Sequence, residues 1–115
     1  RAFSGHDAFI PYGVRAERSS ARHLYPLRLN LDALSIDRAR FIAGLKERGV
    51  GASVHFIPLY RFTQYAKMGF AAADYPSCEW VFERELSLPI YPGMETDEIE
   101  RVIEAVLDLA KTFKR

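Results

Sequence analysis

A chain of 115 residues is long enough for one domain with a hydrophobic core. Apolar residues make up 49%, charged residues 27% and the formal net charge is +1, so bulk charge favours neither nucleic acid nor an acidic membrane surface. The single cysteine, Cys78, excludes an intrachain disulfide, and no apolar run approaches the ~20 residues of a membrane-spanning helix. We therefore expect a cytoplasmic domain, and the missing initiator methionine suggests a fragment or a processed product.

The first strand is predicted after an irregular segment. Residues 1–21 contain glycine, proline and serine without clean periodicity, which predicts a linker or an edge segment. Alternation then begins, with Tyr25, Leu27 and Leu29 on one face of a predicted strand over 23–30. Because Pro26 has no backbone N–H to donate, we expect that position at an edge of the sheet.

A helix is predicted over residues 36–48, with Ser35 as its N-cap and Gly49 as the residue that ends it. Arg38 projects to the apolar side of this helix near the first turn. We expect its aliphatic stem to cover apolar surface while its guanidinium forms a surface ion pair.

A second strand is predicted over residues 50–57 and ends at Pro58. Ala52 and Phe56 lie on the face that is expected to pack against helices, together with Val54. His55 therefore belongs to the opposite face, which a two-layer domain leaves uncovered.

The remaining elements are a helix over 59–68, a helix that begins at Pro76, a strand over 86–90 and a last helix capped by Thr96. The order of strands and helices predicts an α+β, two-layer domain with a small, mainly antiparallel sheet packed against helices. The apolar stripe of the last helix comprises Ile99, Val102, Ile103, Val106, Leu109, Ala110 and Phe113.

Patterns typical of catalytic or metal sites are weak. Ser53 and His55 lie two positions apart on one strand face, where side chains rarely meet in hydrogen-bonding geometry, and no Gly-x-Ser-x-Gly sequence accompanies them. The histidines are scattered, the carboxylates cluster on helices, and no glycine-rich phosphate loop occurs. Basic residues are interspersed with acidic ones, unlike a nucleic-acid interface. We therefore predict no catalytic residue and no metal site in this chain.

A candidate binding loop follows the second predicted strand. His55, Tyr60 and Arg61 surround a strand end and a proline-broken loop, where binding groups are common. A purely structural role for this loop remains an open alternative.

Four segments, in this order, resemble the C-terminal small domain of the DegT/DnrJ/StrS family of pyridoxal-phosphate-dependent sugar aminotransferases. They are HLYPLR at 23–28, GLKERGVGASVHFIPLY at 44–60, YPSCE with LSLPIYPGM between 75 and 94, and a closing helix over 97–109. The similarity covers about residues 20–112. It implies that 22–115 is the small domain and that 1–21 is the segment leading into it.

The resemblance implies a full-length enzyme that moves an amino group from glutamate to a nucleotide-linked keto-sugar, in amino-sugar or cell-surface polysaccharide biosynthesis. Its large domain would precede this segment and hold pyridoxal phosphate on a lysine, and the enzyme would be a homodimer. None of the four lysines here matches the family's lysine motif. We therefore expect the isolated chain to bind no cofactor and to be inactive.

By the same resemblance, His55, Tyr60 and Arg61 would bind the nucleotide-sugar. Many members have a second histidine where this chain has Tyr60, so a role carried by that histidine does not transfer. His55 could instead only bridge the two domains. Two other functions remain open: a freestanding small-molecule-binding module, and an interaction domain whose apolar sheet face binds a partner.

Overall fold

The computed structural model describes residues 2–115, and these residues form an α+β domain with a small antiparallel sheet, as predicted. Two short 3₁₀ helices lie on either side of the second α-helix. In chain order the elements are β1 (Tyr25–Arg28), α1 (Arg38–Glu47), a 3₁₀ helix (Leu59–Arg61), α2 (Thr63–Lys67), a 3₁₀ helix (Ala72–Asp74), α3 (Pro76–Arg84), β2 (Glu85–Leu88) and α4 (Thr96–Thr112).

The sheet is extended on both sides by single bridges. β1 and β2 pair antiparallel, with Tyr25 opposite Leu88 and Pro26 opposite Ser87. The bridge between Phe9 and Leu29 adds to β1, and the bridge from Ser53 adds to β2. The N–H and C=O groups of Ser87 bond to Ser53, so they need no partner on Pro26. The missing N–H of Pro26 therefore leaves no hydrogen bond between β1 and β2 unmade. The predicted position of Pro26 on an edge strand is confirmed.

The predicted second strand over 50–57 is wrong. Ser53 forms one bridge to Ser87, with N···O distances of 3.1 and 2.8 Å, and no strand ladder continues from it within the described chain. Ala52 is half-buried as expected, but the side chain of Phe56 is 77% exposed. Although its apolar residues alternate, this segment forms a bridge to the sheet at Ser53 alone and then turns toward solvent.

The caps of α1 differ from the prediction at its start and agree with it at its end. Asp37 is the N-cap, and its carboxylate accepts from the N–H of Arg40 at 2.8 Å. Ser35 instead donates its hydroxyl to the carbonyl of Phe113, beyond the end of α4. Gly49 has φ +74° and ends the helix as predicted, in a turn that beta-carbon-bearing residues rarely adopt.

The same kind of local correction applies to two other helices. Residues 59–68 do not form one helix, because Phe62 adopts an extended backbone (ψ 138°) between the 3₁₀ helix and α2. Thr96 is the first residue of α4, and the N-cap is Glu95, whose N–H donates to the Glu98 carboxylate at 2.9 Å.

The hydrophobic core lies between the sheet and the pair α1 and α4. The predicted stripe of α4 provides much of it through Val106, Leu109 and Ala110, whereas Ile99 is exposed. Gly44 lets α1 approach the side chain of Leu109 closely. The buried residues of this core are Ala8, Phe9, Leu27, Leu29, Leu34, Phe41, Leu45, Val50, Leu86, Leu88, Ala105, Val106, Leu109 and Ala110.

The N-terminal segment does more than lead into the domain. Ala8 and Phe9 are buried in the core, and the N–H of Ile10 donates to the carbonyl of Arg28 at 2.8 Å. Residues 11–23 are exposed and lie outside helices and strands. The first part of this segment is therefore packed against the sheet, and only the second part resembles a linker.

Candidate functional site

His55 is positioned by the edge of the sheet. It lies two residues after Ser53, the residue that bridges to β2, and a cis peptide bond joins it to Phe56. Its Nδ1 lies 2.9 Å from the hydroxyl oxygen of Ser87 and 3.5 Å from that of Ser53. Contrary to expectation, Ser53 and His55 thus meet at the outer limit of a hydrogen bond, because the segment turns after its bridge and does not continue as a regular strand. The contact with Ser87 is the closer of the two.

A small cleft opens beside this imidazole. Its volume is about 190 Å³, and four polar side chains, those of His23, Ser53, His55 and Ser87, line it together with apolar residues. His55 is half-buried, so part of the ring stays accessible. The lining residues are His23, Leu24, Gly51, Ser53, His55, Ser87, Leu88, Pro89 and Ile90.

Tyr60 and Arg61 converge on one carboxylate, that of Glu79 in the first turn of α3. The phenol of Tyr60 donates to Glu79 Oε1 at 2.7 Å. The guanidinium of Arg61 donates through Nε to the same oxygen at 3.0 Å and through Nη2 to Oε2 at 2.5 Å. The ring of Tyr60 stacks on Tyr75, with centroids 5.1 Å apart and planes 2° from parallel. These contacts hold both predicted binding residues in one arrangement.

The charges of this cluster follow from its hydrogen bonds. The hydrogen bonds from Arg61 and Tyr60 lower the pKa of the Glu79 carboxyl. Burial raises the pKa of the Tyr60 phenol well above its usual value, and the neighbouring Cys78 thiol and Glu79 carboxylate raise it further. The bond to Glu79 also raises the pKa of Arg61. At neutral pH the cluster thus contains an ion pair and a neutral phenol, which suits binding and not proton transfer.

Among residues 2–115, Arg38 has no partner for the surface ion pair that its position suggested. Its Nη1 donates to the carbonyl oxygens of Phe82 and Glu85, the latter at 3.3 Å, and its guanidinium lies 4.3 Å from the centre of the Phe82 ring. Arg61 approaches the same ring at 4.8 Å. Burial, with a smaller effect from Arg61, lowers the pKa of Arg38. Arg38 thus holds the end of α3, the helix that carries Glu79.

The three predicted binding residues do not share one cleft. Tyr60 borders a separate concavity of about 270 Å³ whose other walls are Leu59, Tyr65, Phe70 and Tyr75. His55 borders the cleft near β2. Sequence reasoning missed both Glu79 and Ser87, the residues that hold the predicted ones. Glu79 lies 18 residues from Arg61, and Ser87 lies 32 residues from His55, so no local spacing signals either contact.

The described residues do not fit a pyridoxal phosphate site. The four lysines are Lys46, Lys67, Lys111 and Lys114, and all are exposed. Two of them, Lys111 and Lys114, border a concavity of about 490 Å³, but the other residues that line it include no aromatic ring to stack on a pyridine apart from the imidazole of His6. No group of three metal-ligating side chains comes together within residues 2–115. In the same part of the chain, no helix is long and apolar enough to cross a membrane.

Comparison with known proteins decides the family. The profile of the DegT/DnrJ/EryC1/StrS aminotransferases matches residues 1–107. The chain belongs to this family. The Uncharacterized protein MJ1066 of Methanocaldococcus jannaschii is 45% identical over 105 residues, which are 90% of this chain and 27% of that protein. The Spore coat polysaccharide biosynthesis protein SpsC of Bacillus subtilis is 38% identical over 112 residues, or 96% of this chain and 29% of that protein.

The fold agrees with a solved aminotransferase structure. Spr1654 of Streptococcus pneumoniae, described as a sugar aminotransferase and solved in a PLP form, superposes with a TM-score of 0.84 at 29% identity. The match covers 96% of this chain and 28% of that one. The chain thus spans less than a third of the length of each of these three proteins.

Proposed function

We propose that this chain is the C-terminal small domain of a pyridoxal-phosphate-dependent aminotransferase that moves an amino group from glutamate to a nucleotide-linked keto-sugar. The observation that carries the proposal is the family match over residues 1–107 by a chain that spans under a third of its relatives. The domain would run over 22–115, and 1–21 would lead into it while packing Ala8 and Phe9 into its core. SpsC, by its name a polysaccharide biosynthesis protein, supports a role in cell-surface or amino-sugar biosynthesis.

The part played by this chain would be substrate binding. His55 is half-buried and lines its cleft, where its imidazole could hydrogen-bond an oxygen of the nucleotide-sugar. Arg61 uses Nε and Nη2 for Glu79, so the N–H groups of Nη1 can approach a diphosphate while the ion pair fixes the guanidinium plane. The neutral phenol of Tyr60 would keep the loop in place against Tyr75.

Pyridoxal phosphate would be held by the rest of the longer polypeptide, where its Schiff base with a lysine supplies the amino-transfer chemistry. His55, Tyr60 and Arg61 would orient the sugar toward it, and orientation of this kind accelerates a reaction without any proton transfer by the orienting groups. The exposed side chains of Phe56, Leu59 and other residues of this loop are consistent with a large domain covering it. The full enzyme would be a cytoplasmic homodimer.

The test is amino transfer by the full-length polypeptide that contains this chain. It would be purified with pyridoxal phosphate and incubated with ¹⁵N-glutamate and nucleotide-linked keto-sugars. The ¹⁵N content of the products would be measured by mass spectrometry. We expect ¹⁵N in the nucleotide-linked amino-sugar, and much less in the product of the same keto-sugar without its nucleotide. The 115-residue chain alone should transfer no label and retain no cofactor after dialysis.

Two results would contradict the proposal. Label transfer that is equally fast without the nucleotide would exclude nucleotide recognition as a function of the enzyme. The freestanding module would be favoured by two results together: the full-length polypeptide transfers no amino group to any keto-sugar, and the 115-residue chain binds a small molecule by itself.

A further inference from the structure

Ser87 is a buried polar residue whose backbone is fixed on both sides. It is 3% exposed and lies in β2, where its N–H donates to the carbonyl of Ser53 at 2.8 Å and its carbonyl accepts from the N–H of Ser53 at 3.1 Å. Its hydroxyl lies 2.9 Å from His55 Nδ1. Within residues 2–115 this is the only hydrogen bond of that hydroxyl. The side chain of Ser87 is thus committed to one nitrogen of one histidine.

The contact has two possible proton arrangements. In the first, the Ser87 hydroxyl donates to Nδ1, and a neutral His55 then carries its proton on Nε2. In the second, Nδ1–H donates to the Ser87 oxygen, and the buried hydroxyl hydrogen has no acceptor among the described residues. Because an unsatisfied buried donor is costly, the first arrangement is favoured. Ser53 does not change this choice, since its hydroxyl lies 3.5 Å from the same nitrogen.

We propose that Ser87 is a positioning residue that holds His55 in the Nε2–H tautomer, so that the imidazole offers the cleft a hydrogen-bond donor. The matching ligand group is an acceptor oxygen, as on a diphosphate or a keto-sugar. This use of the donor rests on the proposed aminotransferase function, whereas the tautomer itself does not.

The tautomer is measured directly by ¹⁵N NMR on the chain labelled with ¹⁵N-histidine. The spectra are recorded at increasing pH until the imidazole signals no longer change, so that the neutral ring is the species observed. We expect an unprotonated Nδ1 and a protonated Nε2 for His55, identified by the loss of its signals in His55→Asn. Ser87→Ala should shift both nitrogens toward the averaged values of a free histidine.

Ser53→Ala is the matched control, because it removes a hydroxyl that is farther from the same nitrogen and lies in an exposed residue. It should leave the Nε2–H tautomer unchanged. A wild-type His55 protonated on Nδ1 would overturn the proposal, and this measurement stands even if Ser87→Ala does not fold. Equal shifts in Ser87→Ala and Ser53→Ala would overturn it as well.

The use of the donor is tested in the full-length enzyme. Ser87→Ala should raise the KM for the nucleotide-sugar by about tenfold, the loss expected for one aligned hydrogen bond, with no change in the glutamate half-reaction. Weaker inhibition by the free nucleoside diphosphate in Ser87→Ala would assign the acceptor oxygen to the diphosphate; unchanged inhibition would assign it to the sugar. An unchanged KM would refute the binding role. An enzyme without sugar amination would refute the proposed function and leave the tautomer to the NMR result.

Discussion

Gly44 of α1 faces the side chain of Leu109 in α4, and adding one methyl group there tests the packing of the core. An alanine Cβ at this position would lie 2.6 Å from Cδ2 of Leu109 and 3.4 Å from its Cδ1. Carbon atoms pack best at about 3.5–4.0 Å, so the first distance is about 1 Å too short. Leu109 is 0% exposed and has no solvent to move into. Gly44→Ala should therefore force the core to rearrange.

Two opposing effects set the size of the change in unfolding free energy. Alanine in place of glycine inside a helix stabilises it by about 1 kcal/mol. Overpacking of a filled core costs about 1–3 kcal/mol. Gly44→Ala should thus destabilise the chain by about 0–2 kcal/mol. Leu109→Ala alone should cost about 2–5 kcal/mol, because it leaves a cavity.

The decisive result is the double variant. Without the leucine the clash is gone, so Gly44→Ala should stabilise the Leu109→Ala background by about 1 kcal/mol. Urea unfolding followed by circular dichroism gives each free energy. Ala43→Gly, at the neighbouring exposed position of α1, is the control and should cost about 0.5–1 kcal/mol in both backgrounds. If Gly44→Ala has the same effect with and without Leu109, the proposed contact does not limit the packing.

Two further predictions concern the ion pair and the cap. Hydrogen bonds from Arg61 and Tyr60 lower the pKa of Glu79 in the folded chain, so its stabilising effect is present above the unfolded value of about 4.3 and disappears as the pH falls through the folded value. The difference in unfolding free energy between wild type and Glu79→Gln should therefore be larger at pH 7 than at pH 3, and an equal difference would contradict this role. Asp37→Ala should lower the unfolding free energy by about 1 kcal/mol in urea, because it removes the N-cap of α1. An unchanged unfolding free energy in Asp37→Ala, together with a lowered one in Ser35→Ala, would contradict the cap assignment.

The elements that could be predicted from the sequence are those whose signals are local. The apolar stripe of α4 and the glycine after α1 each specify their structure within a few residues, and both predictions are confirmed. The alternation at Tyr25, Leu27 and Leu29 likewise identified β1, although Tyr25 is partly exposed.

The elements that could not be predicted depend on distant partners. Ser35 has the chemistry of an N-cap, but α4 brings the Phe113 carbonyl within 3.0 Å of its hydroxyl, and Asp37 caps α1 instead. Residues 50–57 alternate as a strand does, yet only Ser53 meets a free edge of β2. For the candidate site, the sequence predicted His55, Tyr60 and Arg61 as binding residues. It gave no signal for Glu79 and Ser87, the residues that contact these side chains.

The most direct test of the account is the effect of His55→Asn on the two half-reactions of the full-length enzyme. His55 lies at a cleft, held by Ser87, and its proposed role is to bind the sugar substrate alone. Stopped-flow absorbance of the cofactor follows each half-reaction separately. We predict that kcat/KM for the keto-sugar falls by about tenfold while the glutamate half-reaction and the Tm stay near those of His6→Asn, a matched change outside this cleft. Equal loss in both half-reactions, or a lowered Tm, would show that His55 holds the protein together and does not bind the sugar.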